Sequence, residues 1–246
     1  MQKNEWLKVK KSGFLEGTII ATLAIVITKI MGMLYVIPFY NMVGEQGSAL
    51  YAYAYNIYII FLDISSAGIP IAISKIIKEY NTLKMYDAKM RAYKIGKKII
   101  TFLSVSVFLV LFIFAPLIAK LILGDLSGGN TIEDVSFVIR AVSFAILVIP
   151  YLSVSKGFLQ GHNIINISSI SQVIEQIVRI AVILGGSYLA LNIFNLSLRT
   201  TIGIAVFGAC AGGLGAVLYI ISKMNKSKKE LVLEKNIKKI MLQIKK

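Results

Sequence analysis

Five ionisable side chains lie within long apolar stretches of this sequence, where a charge is costly to retain. They are Lys29, Asp63, Arg140, Glu175 and Arg179. Placing a charge at the centre of a bilayer costs about 2.5–3.5 kcal/mol even on the most lenient insertion scale, so such residues normally pair or mark a functional site. Three cations against two anions leave one positive charge uncompensated, and an excess cation favours an anionic ligand.

Helix geometry indicates which of these side chains could meet. Glu175 and Arg179 are spaced i, i+4 and can pair on one helix face. With a rise of about 1.5 Å per residue, we expect Asp63 at the same depth in the membrane as Glu175, and Arg140 at the same depth as Arg179. We therefore predict a polar cavity between the first, second, fourth and fifth helices, in which Lys29, Arg140 and Arg179 bind an anionic headgroup. Asp63 and Glu175 would serve in ion coupling or charge pairing. The alternative is a purely structural Glu175–Arg179 pair, with a Lys29 side chain that reaches out to the membrane surface.

The apolar stretches that carry these residues are typical of a polytopic membrane protein. The sequence is 57% hydrophobic and 16% charged, with a mean hydropathy of +0.75, which excludes an ordinary soluble domain. A bilayer core about 30 Å thick needs roughly 20 apolar residues per helix. The pattern predicts an all-α bundle of six transmembrane helices, at about residues 14–40, 48–73, 99–124, 132–155, 168–191 and 200–222.

The basic residues predict how the bundle is oriented. Lys and Arg, which give a net charge of +15, concentrate in residues 1–13, in a link at 74–98 and in a tail at 223–246. Cytoplasmic loops retain Lys and Arg, whereas translocated loops lack them, so both termini are predicted to be cytoplasmic. The tail has the apolar spacing of an amphipathic helix that lies on the membrane surface. Because the basic residues occupy links between apolar helices, no nucleic-acid partner is expected.

Each of the first four predicted helices contains one proline: Pro38, Pro70, Pro116 and Pro150. Proline removes a backbone donor and kinks a helix, and transporters use such breaks as hinges. Proline is also commoner in membrane helices generally, which is the simpler explanation for any one of them. Four in four consecutive helices favour a hinge role. Gly208 and Gly212 form a GxxxG spacing that predicts close helix packing.

Residues for enzyme chemistry are sparse. The sequence has one histidine, His162, and one cysteine, Cys210, so it offers no cysteine or histidine cluster for a metal and no intrachain disulfide. No nucleophile with a neighbouring base is recognisable. We therefore predict no catalytic residue, no metal, no cofactor and no enzymatic activity.

Three stretches resemble a known family. They are residues 65–80 (SSAGIPIAISKIIKEY), 156–161 (KGFLQG) and 171–179 (SQVIEQIVR). Together they resemble the amino-terminal half of polysaccharide-biosynthesis membrane proteins, and more narrowly the stage V sporulation protein B group. That group belongs to the multidrug/oligosaccharidyl-lipid/polysaccharide exporter superfamily and is related to murein-precursor (lipid II) flippases. The resemblance extends from about Gly13 to Lys223.

The resemblance implies a flippase that moves an undecaprenyl-pyrophosphate-linked saccharide across the bacterial plasma membrane by alternating access between two helical lobes. Lys29 matches a basic position in the first helix of the murein-precursor branch. Tyr35 and Asp63 stand where further arginines would be expected in that branch. Because the superfamily resembles two six-helix lobes, we expect this chain to be a truncated or half-length form that needs a second lobe or a homo-oligomer.

Two other functions remain open on sequence grounds. A cation-coupled multidrug exporter of the same fold would depend on Asp63 and Glu175. A non-transporting membrane remnant or scaffold would tolerate replacement of all five buried charges.

Overall fold

The computed structural model describes residues 13–66, 68–83, 85–124 and 129–244, without the side chains of residues 14, 64–66, 86 and 226–244. The basic residues before residue 13 and the tail side chains beyond residue 225 therefore lie outside the described part. The described part contains helices and no strand, which confirms the all-α prediction. The α-helices are α1 (Phe14–Leu34), α2 (Val36–Ser66), α3 (Ile69–Thr82), α4 (Tyr86–Ile113), α5 (Ala115–Leu123), α6 (Ile132–Gly161), α7 (Ile165–Ala181) and α8 (Leu198–Ile244).

Five helical segments among the described residues are long and apolar enough to cross a membrane: Leu15–Asp63, Asp87–Ile113, Ile132–Gly161, Ile165–Ile193 and Leu198–Asn225. The first has 49 residues, which as a helix would measure about 74 Å, more than twice a bilayer core of about 30 Å. Gly44 interrupts it with a non-helical backbone at φ 68°. This segment is long enough for two crossings, so the predicted number of six helices is approximate.

Several helices extend beyond the predicted spans. The region expected as a link at 74–98 is mainly helical, because α3 continues to Thr82 and α4 begins at Tyr86. The second span, expected at 48–73, is divided at Gly68, which has φ 75°. α8 runs on through the predicted tail to Ile244. Hydropathy marks only the part of a helix that lies in hydrocarbon, whereas backbone hydrogen bonding continues beyond it.

Three of the four prolines lie at the starts of helices. Pro38 is in the first turn of α2, Pro70 in the first turn of α3 and Pro116 in the first turn of α5. There the missing N–H costs little, because the first N–H groups of a helix have no intrahelical partner. Pro150 is buried inside α6. The hinge role of these residues stays a prediction.

α6 is the central helix of the bundle. It packs against α2, α3, α4, α5 and α8, whereas α7 packs between α1 and α8. Glycine permits the closest of these approaches, since a Cβ on Gly157 would lie 2.5 Å from the carbonyl oxygen of Pro70. A Cβ on Gly161 would lie 2.7 Å from the Cβ atom of Ile77. Two of the family-like stretches, 65–80 and 156–161, are therefore in direct contact.

Candidate functional site

A polar cavity of about 460 Å³ lies between α1, α2, α6 and α7. These helices correspond to the first, second, fourth and fifth predicted spans, between which the sequence predicts such a cavity. The polar side chains that line it include Lys29, Lys156, Gln172, Glu175, Gln176 and Arg179.

Glu175 forms ion pairs with two cationic side chains within the cavity. Its Oε1 accepts a hydrogen bond from Nη2 of Arg179 at 2.8 Å, and its Oε2 accepts one from Nζ of Lys156 at 2.9 Å. The three side chains are only 13–17% exposed. Lys29, which is exposed on α1, also lines the cavity, so the lining carries three positive charges and one carboxylate. This excess of positive charge favours an anionic ligand, because a shielded charge needs a counter-ion.

The sequence of α7 explains why its polar groups share one face. Gln172, Glu175, Gln176 and Arg179 follow the i, i+3, i+4, i+7 spacing that places residues in a single stripe along a helix. The amide Nε2 of Gln172 lies 3.5 Å from the hydroxyl of Thr28 on α1. This polar stripe therefore faces α1 across the cavity, and α7 also packs on α8.

Gly208 and Gly212 of α8 position the backbone that carries the ion pair. A Cβ on Gly212 would lie 2.5 Å from the carbonyl oxygen of Glu175, and one on Gly208 would lie 3.1 Å from that of Arg179. The two glycines of the GxxxG spacing therefore pack directly on the backbone of Glu175 and Arg179. The Nε of Arg179 is buried and has no hydrogen-bond acceptor among the described residues, which leaves one guanidinium donor available.

Tyrosines form the α2 side of the site. The hydroxyls of Tyr35 and Tyr51 are 3.1 Å apart, and the rings of Tyr51 and Tyr55 stack with centroids 5.8 Å apart. Tyr35 and Tyr55 line the polar cavity. Tyr35 therefore contributes a neutral hydroxyl to the cavity at a position where the resemblance led us to expect an arginine.

The structure brings together three of the five charges singled out in the sequence: Lys29, Glu175 and Arg179. Arg140 lies elsewhere on α6, where its Nε donates to the carbonyl oxygen of Phe112 at 3.2 Å and its guanidinium packs over the Phe112 ring. Asp63 is exposed near the end of α2 and does not line the cavity. The roles predicted for Arg140 and Asp63 stay predictions.

Lys156 is a charged cavity residue that the sequence prediction does not include, because the fourth predicted span ends at residue 155. At 100° per residue, Lys156 and Arg140 point about 160° apart on α6, so only one of them can face the cavity. A signal was present in the sequence. Ile149, Leu152, Ser153 and Lys156 follow the i, i+3, i+4, i+7 spacing of one helix face, and all four line the cavity.

His162 and Cys210 lie away from the polar cavity. His162 packs on Phe158, with ring centroids 4.4 Å apart, and Cys210 is buried in the core. Within the described ranges, no group of three or more His, Cys, Asp or Glu side chains could hold a metal ion.

Comparison with known proteins shows which membrane proteins this chain is similar to. It is 40% identical over 222 residues to the lipid II flippase MurJ of Bacillus subtilis (strain 168), covering 90% of this chain and 41% of the flippase. It is 27% identical over 211 residues to the stage V sporulation protein B of the same organism, covering 85% of this chain and 39% of that protein. The chain therefore spans about two fifths of the length of these relatives.

The fold is shared with a solved multidrug resistance MATE family transporter of the MOP superfamily, determined in an inward-facing conformation. The TM-score is 0.67 at 19% identity, and the match covers 85% of this chain and 46% of the transporter. The sequence predicts one six-helix lobe of a MATE-like transporter, and a match to about half of the solved transporter agrees with one lobe. Residues 14–243 match the family described as polysaccharide biosynthesis protein. This chain belongs to the polysaccharide biosynthesis protein family.

Proposed function

We propose that this chain forms the substrate-binding lobe of a flippase for an undecaprenyl-pyrophosphate-linked saccharide, such as a peptidoglycan or polysaccharide precursor. The observation that carries the proposal is the polar cavity, which is lined by Lys29, Lys156 and Arg179 and in which Glu175 pairs with the last two. A pyrophosphate group needs several cationic donors, and Arg and Lys are the side chains that bind it best. The 40% identity to a lipid II flippase supports the same substrate class.

Glu175 would serve as the counter-ion of Lys156 and Arg179 when no substrate is present. It keeps Lys156 and Arg179 within 2.9 Å of one carboxylate, so both cations already point into the cavity. An arriving pyrophosphate would take over these hydrogen bonds and would also recruit Lys29. Because the three cations lie on α6, α7 and α1, one bound anion would draw three helices together. This is the kind of ligand-dependent closure that alternating access requires.

The opposite wall of the transport path would come from a second six-helix lobe or from a homo-oligomer. The coverage of 41% of the flippase and 46% of the solved transporter supports a second lobe. We further propose a bacterial cell membrane location with both termini cytoplasmic, on the basis of the distribution of Lys and Arg. Pro38, Pro70, Pro116 and Pro150 are candidate hinges for movement of the lobe.

The proposal is tested by measuring binding of a short isoprenoid pyrophosphate to the purified chain in neutral detergent. Farnesyl pyrophosphate serves as the probe and uncharged farnesol as the control ligand. A hydrogen bond to a charged group is worth about 1.5–3 kcal/mol, so Lys156→Gln and Arg179→Gln should each weaken binding roughly 10- to 150-fold. Lys98→Gln removes an exposed lysine of α4 outside the cavity and is the matched control.

The Arg140→Gln variant tests whether the anion binds in the cavity or at the cations that the sequence predicts from their depth along the helices, which include Arg140. If the cavity is the binding site, this variant should bind the probe about as well as the unchanged chain. Full affinity in both cavity variants would contradict the proposal, and so would equal binding of farnesol. A loss of binding confined to Arg140→Gln would move the site to the Phe112 side of α6.

A further inference from the structure

A second cavity, of about 290 Å³, lies on the other side of α6, between α4, α6 and α8. α6 contributes Tyr151, Ser155 and Phe158 to it, whereas the neighbouring Leu152 and Lys156 line the polar cavity. The two cavities are therefore lined by different faces of the same helix. A ligand in the second cavity would not contact Glu175 or Arg179.

The ammonium group of Lys97 projects into the second cavity. Its Nζ donates to the hydroxyl of Tyr151 at 2.8 Å and lies over the rings of Tyr93 and Tyr151, 4.8 and 4.5 Å from their centroids. These partners are neutral, and within the described part of the chain no carboxylate forms an ion pair with Lys97. A second lysine, Lys89, lines the same cavity, is almost fully buried and donates from its Nζ to Oδ1 of Asn81 at 3.1 Å. Lys97 therefore gives the cavity its cationic group.

The opposite wall of this cavity is apolar and continues along the surface of α8. Val217, Ile220, Ile221 and Met224 line it. From Ile221 an exposed stripe continues through Leu218 and Leu214, which are 66% and 45% exposed and follow helical spacing on one face. A small soluble anion would make no use of such a stripe. An anionic amphiphile could place its charge at Lys97 and its hydrocarbon along α8.

We propose that this second cavity binds the headgroup of an anionic phospholipid, with one acyl chain along Leu214, Leu218 and Ile221. A volume of 290 Å³ is at the low end for ligand pockets and suits a headgroup without its two acyl chains. Basic pockets between membrane helices are a recognised mode of binding anionic headgroups. The site lies at the end of the bundle that the charge pattern predicts to be cytoplasmic. The inference does not depend on the proposed flippase activity.

Native mass spectrometry of the purified chain tests the assignment. Phosphatidylglycerol and phosphatidylcholine with identical acyl chains are titrated onto the detergent-solubilised protein, and bound lipid is counted. We expect phosphatidylglycerol to be retained preferentially, and Lys97→Gln to lower its occupancy at least fivefold. Lys98→Gln, the adjacent exposed lysine, should behave like the unchanged chain. Equal retention of the two lipids, or unchanged occupancy in Lys97→Gln, would overturn the proposal.

A second measurement uses the unchanged chain and so does not depend on the folding of a variant. A phosphatidylglycerol with a diazirine in its acyl chain is photo-crosslinked, and the labelled peptides are mapped. Adducts at Leu214, Leu218 or Ile221 are expected, and millimolar glycerol phosphate should not suppress them. Adducts confined to other helices would refute the site. Complete displacement by glycerol phosphate would show a soluble anion as the ligand and would refute the lipid assignment.

Discussion

Replacing Glu175 by glutamine should weaken the fold and strengthen anion binding at the same time. The carboxylate holds Lys156 and Arg179 at 2.9 and 2.8 Å, and all three side chains are largely shielded from solvent. Removing one partner of such a buried ion pair costs about 3–5 kcal/mol of stability. Glutamine is nearly isosteric with glutamate, so the shape of the cavity is preserved.

The gain in affinity follows from the same distances. An anion that takes hydrogen bonds from these two nitrogens would lie roughly 5 Å from the Glu175 carboxylate. At an effective dielectric constant of about 20, two unit charges at this separation repel by about 3 kcal/mol, and solvent access reduces that value. We therefore expect Glu175→Gln to bind farnesyl pyrophosphate about tenfold more tightly, which corresponds to about 1.4 kcal/mol.

Thermal unfolding in detergent, with and without the probe, measures both effects in one assay. Glu175→Gln should melt at a lower temperature than the unchanged chain when ligand is absent, and should show a larger ligand-induced increase in Tm. Glu79→Gln, at an exposed site on α3, is the matched control and should change neither value. A Glu175→Gln variant that loses affinity would refute the role of this carboxylate as a competing counter-ion. Dye export that needs both Glu175 and Asp63 would instead favour a cation-coupled exporter.

Two further predictions address the packing behind the site and the orientation of the bundle. Gly212→Ala places a methyl group 2.5 Å from the carbonyl oxygen of Glu175, so it should cost about 1–3 kcal/mol of stability and weaken probe binding. Gly185→Ala, which meets no atom within 4 Å, is the control, and equal melting temperatures for the two variants would contradict the close approach of α7 and α8. With the native cysteine replaced by alanine, Lys223→Cys should be protected from a membrane-impermeant thiol reagent in intact cells, whereas Glu45→Cys should react. The reverse labelling pattern would contradict the proposed topology and indicate the opposite orientation.

The positions of the predicted site residues show how far helical spacing can be used. Glu175 and Arg179 are four residues apart on one helix, and local geometry alone brings them together. Lys29 comes from another helix and still lines the cavity, although spacing within one helix cannot determine which face of α1 meets α7. Arg140 illustrates the limit. Its predicted depth equals that of Arg179, but its direction around α6 places its guanidinium against Phe112.

The boundaries of the helices show a second limit. Hydropathy located the apolar segments because transfer into lipid dominates their energetics. It placed residues 74–98 in a link, although α3 and α4 occupy most of that region. It also ends the fourth span at residue 155, because a charged residue such as Lys156 after an apolar run resembles the end of a span. The helix continues to Gly161, and the lysine forms part of the cavity.

By itself, the sequence determined the class of the protein and its local pairs: an all-α membrane bundle, the i, i+4 contact of Glu175 with Arg179, and a family resemblance. These features depend on composition and on the spacing of neighbours along one helix, and both can be determined from the sequence alone. The tertiary structure alone decided that Lys156 joins Lys29 and Arg179, that Arg140 faces away, and that a second cationic cavity lies behind α6. Those outcomes depend on how helices rotate and approach one another, and that is set by packing between segments far apart in sequence, such as Gly212 against Glu175.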